Sequence, residues 1–175
     1  MGAVDVTAEF EAVFHRLYPR ARTVAHRIVG NPVEAEDAAA EAFARALVGW
    51  QRVGDLPYLD AWILRVTANV AVDVVRRRRS LPVAAIADTA ASAGPDDVAV
   101  LRMALVAALA ALPRRQREVI ALRYLVGLSE DEIAASLGVS NGSVKRHAHR
   151  GIDAMRRRMG ADWDPSRIEG AAGVA

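Results

Sequence analysis

The sequence predicts an all-α protein made of two small helical domains joined by a flexible linker, with a helix-turn-helix in the second domain. Apolar residues recur every three or four positions through most of the 175 residues, and no convincing stretch alternates as a strand would. Residues 81–98, LPVAAIADTAASAGPDDV, lack this period and are rich in small residues, proline and acids. We therefore expect a domain at 8–80, a linker at 81–98, a second domain at 99–159 and a loose tail at 160–175.

The first domain is predicted to hold three long helices. The first runs from Glu9 to Val29, and Pro19 is expected to kink or divide it because proline lacks an amide donor. The second runs from Pro32 to Trp50, with proline in a permitted first-turn position and acidic residues near the positive end of the helix dipole. A loop from Arg52 to Tyr58 precedes the third helix, Leu59 to Arg79, which ends in four arginines.

The second domain is predicted to begin with two helices. Val98 to Leu112 stops before Pro113, and Arg114 to Val126 is closed by Gly127. These helices lead directly into the helix-turn-helix.

The helix-turn-helix extends from Ser129 to Arg158. Ser129 and Glu132 have the spacing of a capping box at the start of a helix. Gly138 suits the left-handed residue that ends this helix, and Ser140 can cap the next one. The outward side chains of the second helix carry amide, hydroxyl and cationic groups, which bind base edges and phosphates. The candidates for DNA contact are Asn141, Ser143, Lys145, Arg146, His147 and Arg150. The alternative is an ordinary amphipathic helix pair with a solvated basic face.

Charge is distributed unevenly along the chain. The net charge is only +2, but residues 99–160 hold eleven bases and five acids, a net of +6, whereas residues 81–98 hold three acids and no base. Positive charge is thus concentrated around the helix-turn-helix, as phosphate binding requires.

Composition excludes several classes of site and of protein. The chain has no cysteine, which excludes disulfides and thiolate metal sites and suits a reducing compartment. The longest apolar run, Met103 to Leu112, is ten residues and too short to cross a bilayer. His147 and His149 point apart on a helix, and no other ligand cluster is visible. We expect a cytoplasmic protein with no export leader, no membrane insertion, no metal and no cofactor.

Three blocks of sequence resemble one protein family. They are AEDAAAEAFARA at Ala35 to Ala46, AWILRVTANVAVDVVRRRR at Ala61 to Arg79, and the stretch from Leu112 to Arg157 that ends in the helix-turn-helix. In order and spacing, over about residues 8–159, they resemble the extracytoplasmic-function (ECF) sigma factors, group 4 of the bacterial housekeeping-type sigma family. The resemblance implies a non-catalytic initiation subunit that binds core RNA polymerase, directs it to promoter DNA and helps to open the duplex.

The resemblance also implies a polymerase-binding surface. In the family, the helix that carries the AED block docks on a coiled coil of the largest polymerase subunit. This role falls on Asp37, Glu41 and Arg45, although Ala40 stands where many members have glutamine. The alternative is an acidic cluster that only favours the helix dipole.

The helix from Ala61 to Arg79 is implied to open the promoter at its minus-ten element. An aromatic ring can stack on an unpaired base, a guanidinium can hold a phosphate and an amide can bind a base edge. The candidates for minus-ten DNA are Trp62, Arg65, Asn69, Arg76 and Arg77. The loop at Gly54 to Tyr58 corresponds to the family's pocket for a flipped base. A structural tryptophan and a solvated arginine helix end are the alternatives.

The second helix of the helix-turn-helix is assigned by the resemblance to the minus-thirty-five element. An anti-sigma factor is implied as a further partner, although no residue identifies it. A LuxR-type regulator, which binds duplex DNA without joining polymerase, is an alternative that leaves the Trp62 helix unexplained. A nucleic-acid enzyme such as a recombinase is a second alternative, but no acidic metal cluster or nucleophile-base pair supports it.

Overall fold

The computed structural model describes residues 6–80, 96–166 and 168, and within these ranges it is helical with no strand. Its helices are α1 (Val6–Val29), α2 (Pro32–Val48), α3 (Trp50–Val53), α4 (Leu59–Ser80), α5 (Asp96–Ala110), α6 (Arg114–Ile120), α7 (Glu130–Leu137) and α8 (Asn141–Met159). A π-helical turn, Ala121–Leu125, continues α6. The predicted all-α fold is confirmed.

The first domain is built from α1, α2 and α4, each of which packs against the other two. Its core is centred on Phe43 of α2, whose side chain is 2% exposed. The rings of Phe10, Phe14 and Tyr18 lie 6.2, 5.0 and 5.7 Å from the Phe43 ring. Trp50 meets Phe10 edge-on at 5.1 Å. Because aromatic side chains bury large areas, this cluster contributes much of the stability of the domain.

Pro19 lies inside α1, which continues through it, so of the two outcomes that the sequence predicts, a kink or a division, the division is wrong. A proline in a helix interior costs about 3 kcal/mol. The same helix buries Leu17, Val24 and Ile28, and each large apolar side chain that leaves water contributes roughly 1.5–3 kcal/mol. The packing of α1 therefore outweighs the local cost of proline.

Two predicted boundaries move by a few residues. Helix α2 ends at Val48, and Trp50 begins the short helix α3 instead of closing α2. A Cβ on Gly54 would lie 2.9 Å from the Trp50 ring, so glycine lets the following loop cross that ring closely. Helix α5 begins at Asp96, so the last three residues of the predicted linker are helical, and residues 81–95 lie outside the described ranges.

The helix-turn-helix has the capping geometry that the sequence predicts. The Ser129 hydroxyl accepts from the Glu132 amide at 3.3 Å, and the Glu132 carboxylate accepts from the Ser129 amide at 2.8 Å. The amide and the hydroxyl of Ser129 both donate to the Glu132 carboxylate, and these two hydrogen bonds hold the pKa of Glu132 below its usual value. Gly138 is left-handed with φ +63°, and Ser140 caps α8 by accepting from the Ser143 amide. The capping predictions are confirmed.

Helix α8 lies closely against α6 at Gly151. A Cβ at this position would lie 2.8 Å from Cγ1 of Ile120, whose side chain is fully buried. Because glycine has no side chain, α8 can pack this closely against α6 in the core of the second domain.

The segment after α8 packs on the second domain in place of the loose tail that the sequence predicts. Trp163 is 5% exposed and Ile168 is 2% exposed. The Trp163 carbonyl also accepts a hydrogen bond from Arg156 at 3.4 Å. Burial of these two large apolar side chains offsets the entropy cost of ordering a glycine-flanked segment.

Contacts between the two domains centre on α4. This helix packs against α5, α6, α7 and the π-helical turn. No helix among residues 6–80, 96–166 and 168 is long and apolar enough to span a membrane.

Candidate polymerase and DNA interfaces

The predicted polymerase-binding residues form one exposed row on α2. Asp37, Glu41 and Arg45 follow each other at four-residue spacing, and the Arg45 guanidinium bonds the Glu41 carboxylate at 2.7 Å. All three line a groove between α2 and α4. The opposite wall of this groove comes from α4, whose contributing side chains are Val70, Asp73, Val74 and Arg77. The structure thus brings the three residues together and adds a wall that the sequence does not predict.

The arginines at the end of α4 have different surroundings. Arg76 and Arg77 are exposed, and Arg76 pairs with Asp73 at 3.2 Å. Arg78 instead pairs with Glu34 of α2, and burial lowers the pKa of Arg78. Because a helix rises 1.5 Å per residue, Arg77 lies roughly 22 Å along α4 from Trp62. The five minus-ten candidates therefore form two separate groups.

Two members of the first group, Arg65 and Asn69, face the second domain. Trp62, Arg65 and Asn69 are each half-buried. The Arg65 guanidinium donates to the backbone carbonyl of Ser136 in α7. Burial lowers the pKa of Arg65, and the carboxylate of Glu118 acts in the opposite direction. The Asn69 amide donates to Oε1 of Glu118 at 3.5 Å. The two polar members of this group are thus occupied by partners from the same chain.

Glu118 is the buried acid of this contact and was not predicted from the sequence. Its side chain is 1% exposed, and Arg114 and Arg115 each bond it at 3.1 Å. A buried carboxylate requires such partners because leaving water costs it several kcal/mol. The sequence feature that could have indicated its role is that Glu118 is the only acid in the basic run RRQRE.

The loop before α4 lines a groove whose other wall belongs to α7. Loop residues 56–58 lie on one side, and Asp131, Glu132 and Ala135 lie on the other. Arg16 and Asp60 also line it and form an ion pair, which holds the pKa of Asp60 below its usual value. The candidate pocket for a flipped base is therefore bordered by carboxylates of the second domain.

The candidate residues of α8 are not equally accessible. Asn141, Lys145, Arg146 and Arg150 are exposed, whereas Ser143 and His147 are half-buried. His147 lies about 60° around the helix from the buried Val144, so it borders the core instead of facing outward as predicted. Its Nδ1 atom is buried without a hydrogen-bond partner in the described part of the chain.

Local contacts position the exposed side chains of α8. Asn141 donates to Asp131 at 2.6 Å, and Arg146 donates to the Ser143 hydroxyl at 2.9 Å. Lys145 lies 3.7 Å from Glu130. The acidic first turn of α7 therefore borders the start of α8, while Arg150 extends the basic face beyond it.

Comparisons with known proteins decide the family. A family model described as Sigma-70 region 2 matches residues 13–81, and one described as Sigma-70, region 4 matches residues 102–155. RNA polymerase sigma factor CarQ of Myxococcus xanthus is 35% identical over 163 residues, which cover 91% of this chain and 92% of CarQ. ECF RNA polymerase sigma factor SigW of Bacillus subtilis is 31% identical over 150 residues, which cover 77% of this chain and 80% of SigW. The chain belongs to the ECF sigma factors.

Solved structures share the fold of this ECF sigma factor. CnrH, solved in complex with the cytosolic domain of CnrY, aligns with a TM-score of 0.57 at 26% identity, covering 88% of this chain and 89% of CnrH. RpoE from Bartonella quintana, solved with the anti-sigma factor NepR, aligns with a TM-score of 0.54 at 22% identity, covering 88% and 98%.

The function of an RNA polymerase sigma factor follows from the family. The LuxR-type alternative is not supported, because the first domain matches sigma region 2 and the relatives are sigma factors. Members of this family are initiation factors and not enzymes. Among residues 6–80, 96–166 and 168, no group of three histidine or acidic side chains is arranged to hold a metal ion.

Proposed function

We propose that this sigma factor attaches to core RNA polymerase through the groove between α2 and α4, grips the promoter at two points and helps to open it without catalysing a reaction. The observation that carries this proposal is that the candidate polymerase surface and the candidate minus-thirty-five surface lie on different domains. A carboxylate-lined groove lies on one domain, and an exposed basic helix lies on the other. The cytoplasm, where core polymerase acts, is the location that fits this role.

The polymerase contact is assigned to Asp37, Glu41 and Arg45. The two carboxylates are exposed and would orient the domain against a basic coiled coil and increase its association rate. Val70 and Val74 supply apolar surface on the facing wall of the groove. A mixed charged and apolar groove suits a helical partner.

The minus-ten contact is assigned to two groups on α4. Trp62 would stack on an unpaired base. Arg65 would hold a phosphate, and Asn69 would bind a base edge. Arg76 and Arg77, farther along the helix and exposed, would meet phosphates.

The minus-thirty-five contact is assigned to α8, with Asn141, Lys145, Arg146 and Arg150 foremost because they are exposed. Residues near the start of a recognition helix reach base edges in the major groove. Ser143 orients Arg146, and His147 contributes from the edge of the core.

A protein partner that covers these surfaces completes the proposal. CnrH, which is similar to this chain over most of its length, was solved with the cytosolic domain of CnrY. We assign a comparable partner, an anti-sigma factor, to this chain.

Run-off transcription tests the proposal directly. Core polymerase plus this chain is expected to give discrete transcripts from a subset of a promoter library, and core polymerase alone is expected to give none. Absence of a chain-dependent transcript from the library, with a polymerase that is active with another sigma factor, would contradict the proposal.

Replacing Arg146 with alanine is expected to weaken binding to the minus-thirty-five element. If Arg146 contacts a base edge, the loss is about 1–3 kcal/mol and is confined to promoters that carry that base. If it contacts a phosphate, the loss is uniform across sequences and the salt slope falls by about 1. Equilibrium binding at several salt concentrations separates the two results.

The matched control for this measurement is Arg52→Ala. It removes the same charge from an exposed position in the first domain. Equal losses for the two variants would show that net charge, and not contact by α8, determines the affinity.

A further inference from the structure

The side-chain amide of Asn141 is held in one orientation by an acid of the preceding helix. Asn141 is the first residue of α8, and its Nδ2 atom donates to Oδ1 of Asp131 at 2.6 Å. Asp131 lies in the first turn of α7. A carboxylate only accepts hydrogen bonds, so it must face the nitrogen of the amide and not the oxygen. The hydrogen bond therefore fixes which way the amide of Asn141 points.

This contact determines what Asn141 still offers to DNA. An asparagine amide has two N–H donors and one carbonyl oxygen, and Asp131 takes one of the donors. The other N–H and the oxygen remain, and both residues are exposed. In the major groove adenine presents an acceptor, N7, beside a donor, N6, whereas guanine presents two acceptors, N7 and O6. The remaining donor and acceptor of Asn141 match adenine, whereas guanine would place an acceptor against the amide oxygen.

The place of Asn141 in the helix-turn-helix suits contact with a base. Residues at the start of a recognition helix reach base edges, and Asn141 directly follows the cap residue Ser140. The cationic candidates that follow have other partners, because Lys145 lies 3.7 Å from Glu130 and Arg146 donates to a hydroxyl. The contact with Asp131 therefore concerns the amide alone.

We propose that Asp131 is a positioning residue for promoter recognition: it orients the amide of Asn141, and the oriented amide selects adenine over guanine at one base pair of the minus-thirty-five element. The inference rests on the proposed function, because it requires α8 to enter the major groove of that element. Asp131 itself contacts no base. It fixes the amide before DNA arrives, so that binding does not have to immobilise this side chain.

Binding of substituted promoter duplexes to the complex of core polymerase and this chain identifies the base pair that Asn141 contacts. The duplex is a promoter active in the run-off assay, and each base pair of its minus-thirty-five element is replaced in turn. Asn141→Ala is expected to remove the base preference at one base pair, where the parent prefers adenine on one strand. The preference for adenine over guanine is expected to fall there at least about fivefold, as the loss of one bidentate contact predicts.

Replacing Asp131 with alanine is expected to lower the same preference at least about threefold and to leave the preference at the other base pairs unchanged. Once released, the amide of Asn141 can turn over, and its second N–H becomes available to the acceptors of guanine. The measurement is again the ratio of affinities for the adenine and guanine duplexes. A ratio is used because the lost negative charge is expected to raise the affinity for every duplex alike.

Asp131→Asn is the matched comparison, since it removes the same charge and keeps the shape of the side chain. It is expected to raise overall affinity as much as Asp131→Ala does. Its loss of preference is expected to be smaller, because its amide oxygen can still accept from Asn141. An equal loss of preference in the two variants would assign the effect to charge and would overturn the role of the hydrogen bond.

Glu130→Gln is the control within the same turn of α7. Glu130 is paired with Arg123 and Lys145, so this substitution removes a carboxylate and leaves the bond between Asp131 and Asn141 in place. The preference at the base pair of Asn141 is expected to match the parent. Circular dichroism and a urea melt of each variant establish that a changed preference does not arise from unfolding.

Three results would overturn the proposal. An unchanged preference in Asp131→Ala would exclude the positioning role. Loss of preference at a different base pair in that variant would show that Asp131 contacts DNA itself. A base other than adenine at the position of Asn141, or no base pair that depends on Asn141, would exclude the selection of adenine. Failure of the parent chain to support run-off transcription would instead count against the proposed function.

Discussion

Replacing Trp62 and Asn69 together with alanine is expected to reduce promoter opening at least tenfold while changing duplex binding at the minus-thirty-five element less than threefold. Stacking of a base on an aromatic side chain contributes about 1–3 kcal/mol, and an amide hydrogen bond contributes about 1 kcal/mol. A tenfold change corresponds to about 1.4 kcal/mol. Permanganate reactivity of unpaired thymines measures promoter opening. A mobility shift with duplex DNA measures binding at the minus-thirty-five element.

Trp62→Phe is the control for this pair, because it keeps an aromatic face and is expected to retain most of the opening activity. The double substitution also removes the hydrogen bond between Asn69 and Glu118, which frees α4 from one contact with the second domain and would by itself favour DNA access. A loss of opening therefore reports the loss of DNA contact. Equal losses of opening and duplex binding would contradict the division of labour between the domains.

Replacing Phe43 with alanine is expected to lower the free energy of unfolding of the first domain by about 3–5 kcal/mol. The Phe43 ring is 2% exposed and contacts three other aromatic side chains, so truncation leaves a cavity at the centre of the three-helix core. Because α2 carries the polymerase candidates, binding to core polymerase is expected to fall with the stability. Urea denaturation followed by circular dichroism measures the change.

Leu47→Ala is the matched control on the same helix. Leu47 is 51% exposed, and a surface substitution of this kind changes stability by about 0.5 kcal/mol or less. Phe43→Leu keeps much of the buried volume and is expected to have an intermediate effect. A loss below about 1 kcal/mol for Phe43→Ala would show that the aromatic cluster does not organise the domain.

Local chemistry accounts for the features that the sequence predicts correctly. Ser129, Glu132, Gly138 and Ser140 determine the ends of the helix-turn-helix through hydrogen bonds within four residues and one left-handed backbone angle. Such contacts depend on neighbouring residues alone. The caps therefore appear in the structure where the sequence places them.

Long-range packing explains two of the differences. Pro19 remains inside α1 because that helix is buried on two others, and Trp163 and Ile168 order a segment whose composition suggests a loose tail. In both cases packing against residues distant in sequence outweighs a local preference. His147 differs for a local reason, because it lies three residues after the buried Val144 and so beside the apolar stripe of α8.

The sequence by itself determined the long helices of the described ranges, the caps of the helix-turn-helix and the spacing that places the polymerase candidates in one row. These follow from helical periodicity and hydrogen bonds between near neighbours. Only the tertiary structure decided that Arg20 and Arg27 cap a helix of the other domain and that Arg65 and Asn69 are held by Ser136 and Glu118. These pairs are 49 to 106 residues apart in the chain. No local pattern encodes such a pairing, because it depends on how two separately formed surfaces meet.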